Sequence, residues 1–423
     1  MVLVNQSVIG KPLRLSTTPS QLFHSARQSG VENFFVLHRS GSVASYLNSS
    51  PHFMTFLISV VAFILLLTLL IIIHELGHFA AAKFFGVEVE EFGFGLPPRA
   101  KTLFTKNRTV FSLNWIPFGG FVRLKGENEV ETQKRFEQGS FASASFHARI
   151  VILCGGVLMN FVLAFALLTL GFSVGRWVPN FYQSIEEMQE ASQRGEIFLE
   201  TGVYISDVLP GGPAAKAGVV KESAIQSVDG IVVNKPEDVL ELQKGKSRVT
   251  YVLMEGEQKN IRSVDIELEG GKSGVAISPF AAKLSAPLRP VTTAAHLAYK
   301  ESVFMTYQTV HGILNLFRSL ATKGHVPEGI TGIVGIAVLT YSSVQEGLMT
   351  YLRLVALLSL SLAILNILPL PALDGGRLLF VLIEMIARRP LNQRFELMVN
   401  AIGFFLLIAL IIIITFNDVI QLF

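Results

Sequence analysis

His74, Glu75 and His78 stand together in the stretch IIIHELGHFAAAKFF, residues 71–85. Four positions apart, the two histidines fall one above the other on a single face of a helix. Two imidazoles so placed can hold one zinc ion, and the neighbouring glutamate can act as general base toward a metal-activated water. Zinc moves the pKa of water from about 15.7 toward 7, which makes a hydroxide nucleophile available at neutral pH. A catalytic zinc site takes three protein ligands, so one is still missing. Asp374, in LNILPLPALDGGRLL (365–379), is the candidate. It is the first charge after an apolar run, as His74 is after its own run, and Pro369 and Pro371 interrupt a helix so that it can be aimed inward. Alone, an aspartate at a helix end reads as a solvated boundary residue. Beside a zinc motif short of one ligand, it reads as that ligand.

These residues must be positioned by elements that live in lipid. Half of the 423 residues are hydrophobic and 16% are charged, whereas a soluble domain carries about a quarter charged. The stretches 55–73, 150–175, 354–373 and 397–416 contain no Lys, Arg, Asp or Glu, and a helix needs about 20 apolar residues to cross a hydrocarbon core. The expected fold is therefore a polytopic α-helical membrane protein with four transmembrane helices, over 54–86, 147–176, 350–376 and 397–418. Gly77, Ala80, Ala81 and Ala82 leave room for close neighbours beside the first. The single cysteine, Cys154, excludes an intrachain disulfide. A formal charge of +3 and the lack of a basic, aromatic-laced stripe exclude nucleic acid as partner.

Orientation follows from the short connections. Arg99, Lys101, Lys106, Arg108, Arg123, Lys125, Lys134 and Arg135 lie in 87–146, and Arg377, Arg388, Arg389 and Arg394 lie in 374–396. Both segments belong on the cytoplasmic side, which puts 176–353 and both chain ends outside and the metal site toward the cytoplasm. Residues 1–53 are Ser-rich, with Glu32 against Lys11, Arg14, Arg27 and Arg39. They are read as an N-terminal extension: a misplaced start before Met54, a disordered tail or a targeting segment. The last would make a plastid membrane the alternative to a bacterial inner membrane.

HELGH at 74–78 and NILPLPALDGG at 366–376 together resemble the two signature motifs of the site-2 protease family of intramembrane zinc metalloproteases, in particular the regulator-of-sigma-E protease type. EFGFGLPPR (91–99), IPFGGFVRLKGE (116–127) and IGFFLLIALIIIITFND (402–418) are similar to further family segments, so the resemblance runs from Met54 to the end. It implies one zinc per chain held by His74, His78 and Asp374, Glu75 as catalytic base, and Asn366 as a contact to substrate backbone. Asn160 is either a second substrate contact or a packed helix contact. Residues 109–115 and 118–124 read as strands within the cytoplasmic-side segment 87–146. The resemblance implies a membrane-associated β element there whose free edge binds unwound substrate, against the plainer reading of an ordinary hairpin. Implied substrates are single-span proteins such as anti-sigma factors or remnant signal peptides.

Residues 197–282, with GVYISDVLPGGPAAKAGV and AIQSVDGIVVNKPEDVLELQ, are similar to one inserted PDZ-like α+β domain that either binds a peptide or acts as a size filter. Glu222-Ser223 replaces the usual Gly-Asp before its AIQSVDG strand, which puts that turn in question. Family departures also occur at CGGVLMN, where Ala-Gly-Pro is common, and at Ile333 in GIVGI, a common proline position. Residues 286–346 read as amphipathic interfacial helices, with His311 an interfacial residue rather than a ligand. Two rivals remain: a non-catalytic membrane scaffold working through the PDZ-like domain, which predicts a decayed metal site, and a membrane-anchored zinc peptidase of soluble chains, which predicts a third ligand in an aqueous domain.

Overall fold

The structure, a computed structural model, describes residues 2–3, 50–127, 129, 131–255, 260–327 and 329–422. Most of the 1–53 extension therefore lies outside the described residues. The chain divides into two compact units: one holds the described residues up to Ser173 and from Pro290 onward, the other holds Val174–Arg289.

Long apolar sequence becomes helix in the first unit because a helix satisfies its own backbone hydrogen bonds. Among the described residues, four helices are long and apolar enough to cross a membrane: Met54–Phe84, Phe146–Ser173, Leu348–Ile367 and Gln393–Ile420. They belong to α1 (Ser50–Phe84), α2 (Phe146–Ser173), α5 (Leu348–Ile367) and α7 (Gln393–Leu422). Two further helices, α3 (Val291–Lys323) and α4 (Ile333–Glu346), fill the stretch expected to be interfacial. The amphipathic period is present in α3, where Ala294, Ala298, Met305, Thr309, Ile313 and Leu316 are buried. That stripe packs on helices: Met305 shares a core cluster with Ala164 of α2 and with Leu360 and Ile364 of α5. Asp418 of α7 accepts from the backbone N–H groups of Gly332 (3.0 Å) and Gly335 (2.9 Å), supplying the start of α4 with the cap its own sequence lacks.

The helix expected over 350–376 stops at Ile367. Pro369 and Pro371 cannot continue it, Ala372 takes the left-handed conformation (φ 70°), and a new helix, α6 (Asp374–Ala387), opens with Asp374 at its first position. Gly375 and Gly376 allow this reversal: a Cβ on either would stand 2.1 Å from the carbonyl oxygen of Leu368 or 2.3 Å from that of Leu370.

Between α1 and α2 lies a sheet of two long strands, β1 (Val89–Lys106) and β2 (Thr109–Leu124), each bent back on itself. The 109–115 and 118–124 strands expected from sequence are present in β2, and β1 joins them. Residues 91–94 pair with 110–113 on one side and with 120–123 on the other, while 101–106 pair with 109–113. Residues 120–124 thus form one edge, and this edge lies against α1: Thr68 donates to the carbonyl of Pro117 (3.4 Å), and a Cβ on Gly120 would stand 3.6 Å from Ile72 and 3.9 Å from Glu75. Glu91 is buried in the sheet with Arg99 at 2.6 Å and Arg123 at 3.3 Å. Burial opposes its ionisation, but the hydrogen bond and charge of Arg99 and the charge of Arg123 outweigh it and hold the carboxyl below its ordinary value.

The second unit is a six-stranded sheet in the order β7 (Asn260–Glu267), β6 (Arg248–Glu255), β4 (Ala224–Val228), β3 (Phe198–Val208), β8 (Val275–Ser285), with β5 (Ile231–Val232) pairing on β4. Its core includes Val203, Ile205, Ile225, Val239, Tyr251, Leu253 and Ile266. The Glu222-Ser223 turn closes onto β3, with the Glu222 N–H donating to Ile205 and the Ser223 carbonyl accepting from Ile205, both at 2.9 Å. Glu222 adopts φ 72° to do so, a conformation that glycine takes without cost.

Candidate metal centre

The HELGH segment lies inside α1, one turn and more before its end, so its side-chain register is set by uninterrupted helix. His74 and His78 face α2, and at that face both helices have glycine. A Cβ on Gly77 would stand 2.1 Å from the carbonyl oxygen of Gly155, and one on Gly155 would stand 2.6 Å from that of Gly77. The two backbones therefore touch, as small residues permit in membrane helices. Gly156 leaves the volume that the imidazoles occupy: a Cβ there would meet His78 Nε2 at 2.5 Å and His74 Cε1 at 2.6 Å.

The broken α5–α6 connection brings Asp374 to the same point. Its Oδ2 lies 2.8 Å from His74 Nε2 and 3.3 Å from His78 Nε2, and the two Nε2 atoms are 3.2 Å apart. The rings are perpendicular within a few degrees, at 83°. All three ligand-type atoms lie within 4.8 Å of one another, with both histidines buried. Around a cation ligated at about 2.0–2.1 Å in tetrahedral geometry, neighbouring ligand atoms are about 3.3 Å apart. The observed separations fit that spacing, and two imidazole nitrogens with one carboxylate oxygen are a donor set that zinc takes. His78 is already turned for it. Its Nδ1 lies 2.8 Å from the carbonyl oxygen of Ile152; a carbonyl only accepts, so Nδ1 carries the proton and Nε2 presents its lone pair.

Glu75 projects to the side of this cluster, half-buried, and its Oε2 accepts the backbone N–H of Val122 in the sheet edge at 2.9 Å. Asn366, near the end of α5, places Nδ2 3.4 Å from His74 Nε2. Asn160 of α2 is fully buried, with Nδ2 3.4 Å from His74 Nδ1. All the residues singled out by sequence thus meet in one place. Sequence reasoning missed the Ile152 carbonyl and the Val122 N–H, which are backbone groups without a residue-type signal. Gly155-Gly156 was readable, because a glycine pair in a membrane helix marks a close approach.

Residues 62–410 match the model of peptidase family M50. The chain belongs to that family. A Fusobacterium nucleatum protein named for zinc metalloprotease activity is 31% identical over 378 residues, spanning 88% of this chain and 100% of the relative. The regulator of sigma-W protease RasP of Bacillus subtilis is 27% identical over 448 residues, covering 87% and 100%, and the zinc metalloprotease RasP of Bacillus licheniformis is 27% identical over 446 residues, covering 86% and 99%. This M50 chain is a site-2-type intramembrane zinc metalloprotease that acts on membrane proteins, with Zn2+ as its cofactor. The scaffold and the soluble-chain peptidase are set aside.

Proposed function

We propose that His74, His78 and Asp374 hold one zinc per chain and that Glu75 is the catalytic base for cleavage within another protein's transmembrane segment. The observation that carries the reading is the convergence of the three ligand-type atoms beside a glutamate bonded to a strand edge. When bound, zinc lowers the pKa of water and polarises a carbonyl oxygen. Glu75 takes the proton of the attacking water as the new C–O bond forms, and delivers it to the leaving nitrogen as the C–N bond breaks. The Val122 N–H fixes the carboxylate for this exchange. The edge at 120–124 offers backbone groups to an unwound segment, which must exchange its helical hydrogen bonds for others in a water-poor site. Asn366, half-buried beside His74, holds the substrate backbone.

Around this site, the reading is of four spans in a bacterial inner membrane, with 87–146 and 374–396 cytoplasmic and the second unit outside. That unit is read as PDZ-like. The strand, Gly-Pro turn, short helix and strand of 198–228 support this, as does the helix Pro236–Gln243 near the edge strand β8. Strand addition on β8 suits an extended peptide. The substrates proposed are single-span proteins such as an anti-sigma factor, in line with the name of the Bacillus subtilis relative.

Zinc analysis joined to cleavage of a co-expressed single-span reporter tests the site. Glu75→Gln is expected to lower cleavage by roughly 100- to 10,000-fold with zinc still near one per chain, and Asp374→Ala to lower zinc occupancy. Unchanged cleavage by the Glu75 variant would overturn the mechanism.

A further inference from the structure

Both histidines of the metal centre use their second ring nitrogen on the same helix. His78 Nδ1 is held by the Ile152 carbonyl of α2 at 2.8 Å, and His74 Nδ1 faces the side-chain amide of Asn160, two turns further along α2, at 3.4 Å. Asn160 has no exposed surface, which leaves no face for a substrate. Its Oδ1 is buried without a donor among the described residues, while its Nδ2 is the atom turned to the ring. A buried amide oxygen lacking a donor is costly, and the amide's two ends are near-isosteric, so rotation by a half-turn exchanges them. With Oδ1 toward the ring, the oxygen accepts from Nδ1–H of His74, and Nε2 is left with its lone pair directed at Asp374 and His78.

We infer that Asn160 is a positioning residue for the metal centre: its amide oxygen fixes the tautomer and ring angle of His74, as the Ile152 carbonyl does for His78. The residue is well anchored for that task. Ser359 of α5, itself fully buried, donates to the Asn160 carbonyl at 2.8 Å, so α5 locks the backbone from which the amide reaches α1. α2 thereby acts as a shared outer brace for both histidines. This inference rests on the ligand assignment proposed above.

The test measures zinc affinity by chelator competition on the detergent-solubilised full chain at one pH. Asn160→Leu keeps the volume and removes the acceptor; Asn160→Asp keeps an acceptor in the same place. The Leu variant is expected to bind zinc about 10- to 100-fold more weakly, and the Asp variant to stay within about threefold of the parent. A role in packing alone predicts the reverse order, since leucine fills the space and a buried aspartate disturbs it. Parent-like affinity in the Leu variant, or equal losses in both, overturns the inference. Asp374→Ala measured alongside separates the two claims. Zinc loss there with parent-like affinity in the Leu variant overturns only the role of Asn160. Zinc retained in both overturns the ligand set and this inference together.

Discussion

Two of the regions of the first unit that bury ionisable side chains are built on opposite principles. At the metal centre, two imidazole nitrogens and a carboxylate oxygen point at one another within 2.8–3.3 Å, three lone-pair donors converging on a point. At the other region, around the start of α2 and along α6, charges meet their opposites. Glu384 is buried with Arg149 at 2.6 Å and Arg135 at 3.6 Å, and accepts the Leu391 N–H at 2.8 Å. Arg135 also donates to the Leu391 carbonyl at 3.1 Å, and Arg377 pairs with Glu127. Buried charge is tolerated only when it is paired and hydrogen-bonded, or when a metal supplies the missing positive charge. The second region satisfies the first condition by itself and is a lock. With the ligand set proposed above, the first region satisfies the second condition, and is a site. Burial alone does not separate the two; the sign of the partners does.

Substitutions should pull the regions apart. The largest effect is expected at Gly156→Ala, whose new Cβ would enter the space of both imidazoles. Zinc affinity is expected to fall by roughly 100-fold, because ligand geometry tolerates only a few tenths of an ångström, and chelator competition on the purified chain reads it. Retention of parent affinity would mean that the rings can yield, and the site would be less preorganised than the glycine implies.

Glu384→Ala is the matching break in the lock. It leaves Arg149 buried without its carboxylate and Arg135 with only Glu396, at 3.8 Å, a loss of about 3–5 kcal/mol. Thermal or denaturant unfolding in detergent reads that loss, while the folded fraction is expected to bind zinc as the parent does. Pairing it with Arg149→Met sharpens the comparison, since an apolar replacement of both partners restores much of the stability. No such compensation is expected at the proposed metal centre, where removing one of the three donors leaves the others still short of a cation.

How much of this was legible beforehand differs between the regions for the same reason. His74, Glu75 and His78 share one turn of helix, so their spacing exposes them. Asp374 is distant, but an incomplete ligand set asked for it. The lock draws Glu127, Arg135, Arg149, Arg377 and Glu384 from four separate stretches, and no local spacing announces it. Arg135 and Arg377 even served another argument, as signals of membrane orientation, while being paired inside the fold. Apolar runs revealed the membrane helices, yet the break after Ile367 was placed several residues late, because proline tells that a helix fails but not how the chain recovers. Strand β1 was hidden by its glycines and prolines, and it forms because β2 flanks residues 91–94 on both sides.

A smaller effect tests whether the lock's logic extends to the sheet beside Glu75. Glu91 is buried against Arg99 and Arg123, and its carboxyl is held below the ordinary glutamate value. A depressed folded-state pKa favours the folded chain wherever the unfolded chain would bind the proton more readily. That contribution is complete above the unfolded-chain value of about 4.3 and is lost as the pH falls through the folded value. Unfolding of the parent should therefore become easier as the pH drops below about 4.3, and Glu91→Gln should flatten part of that slope. Arg99 and Arg123 are about half exposed, so solvent screens the pair and the change in slope is expected to be modest. A variant as steep as the parent would mean that Glu91 is held by packing rather than by charge, and that the logic of the lock around Glu384 does not extend to this sheet.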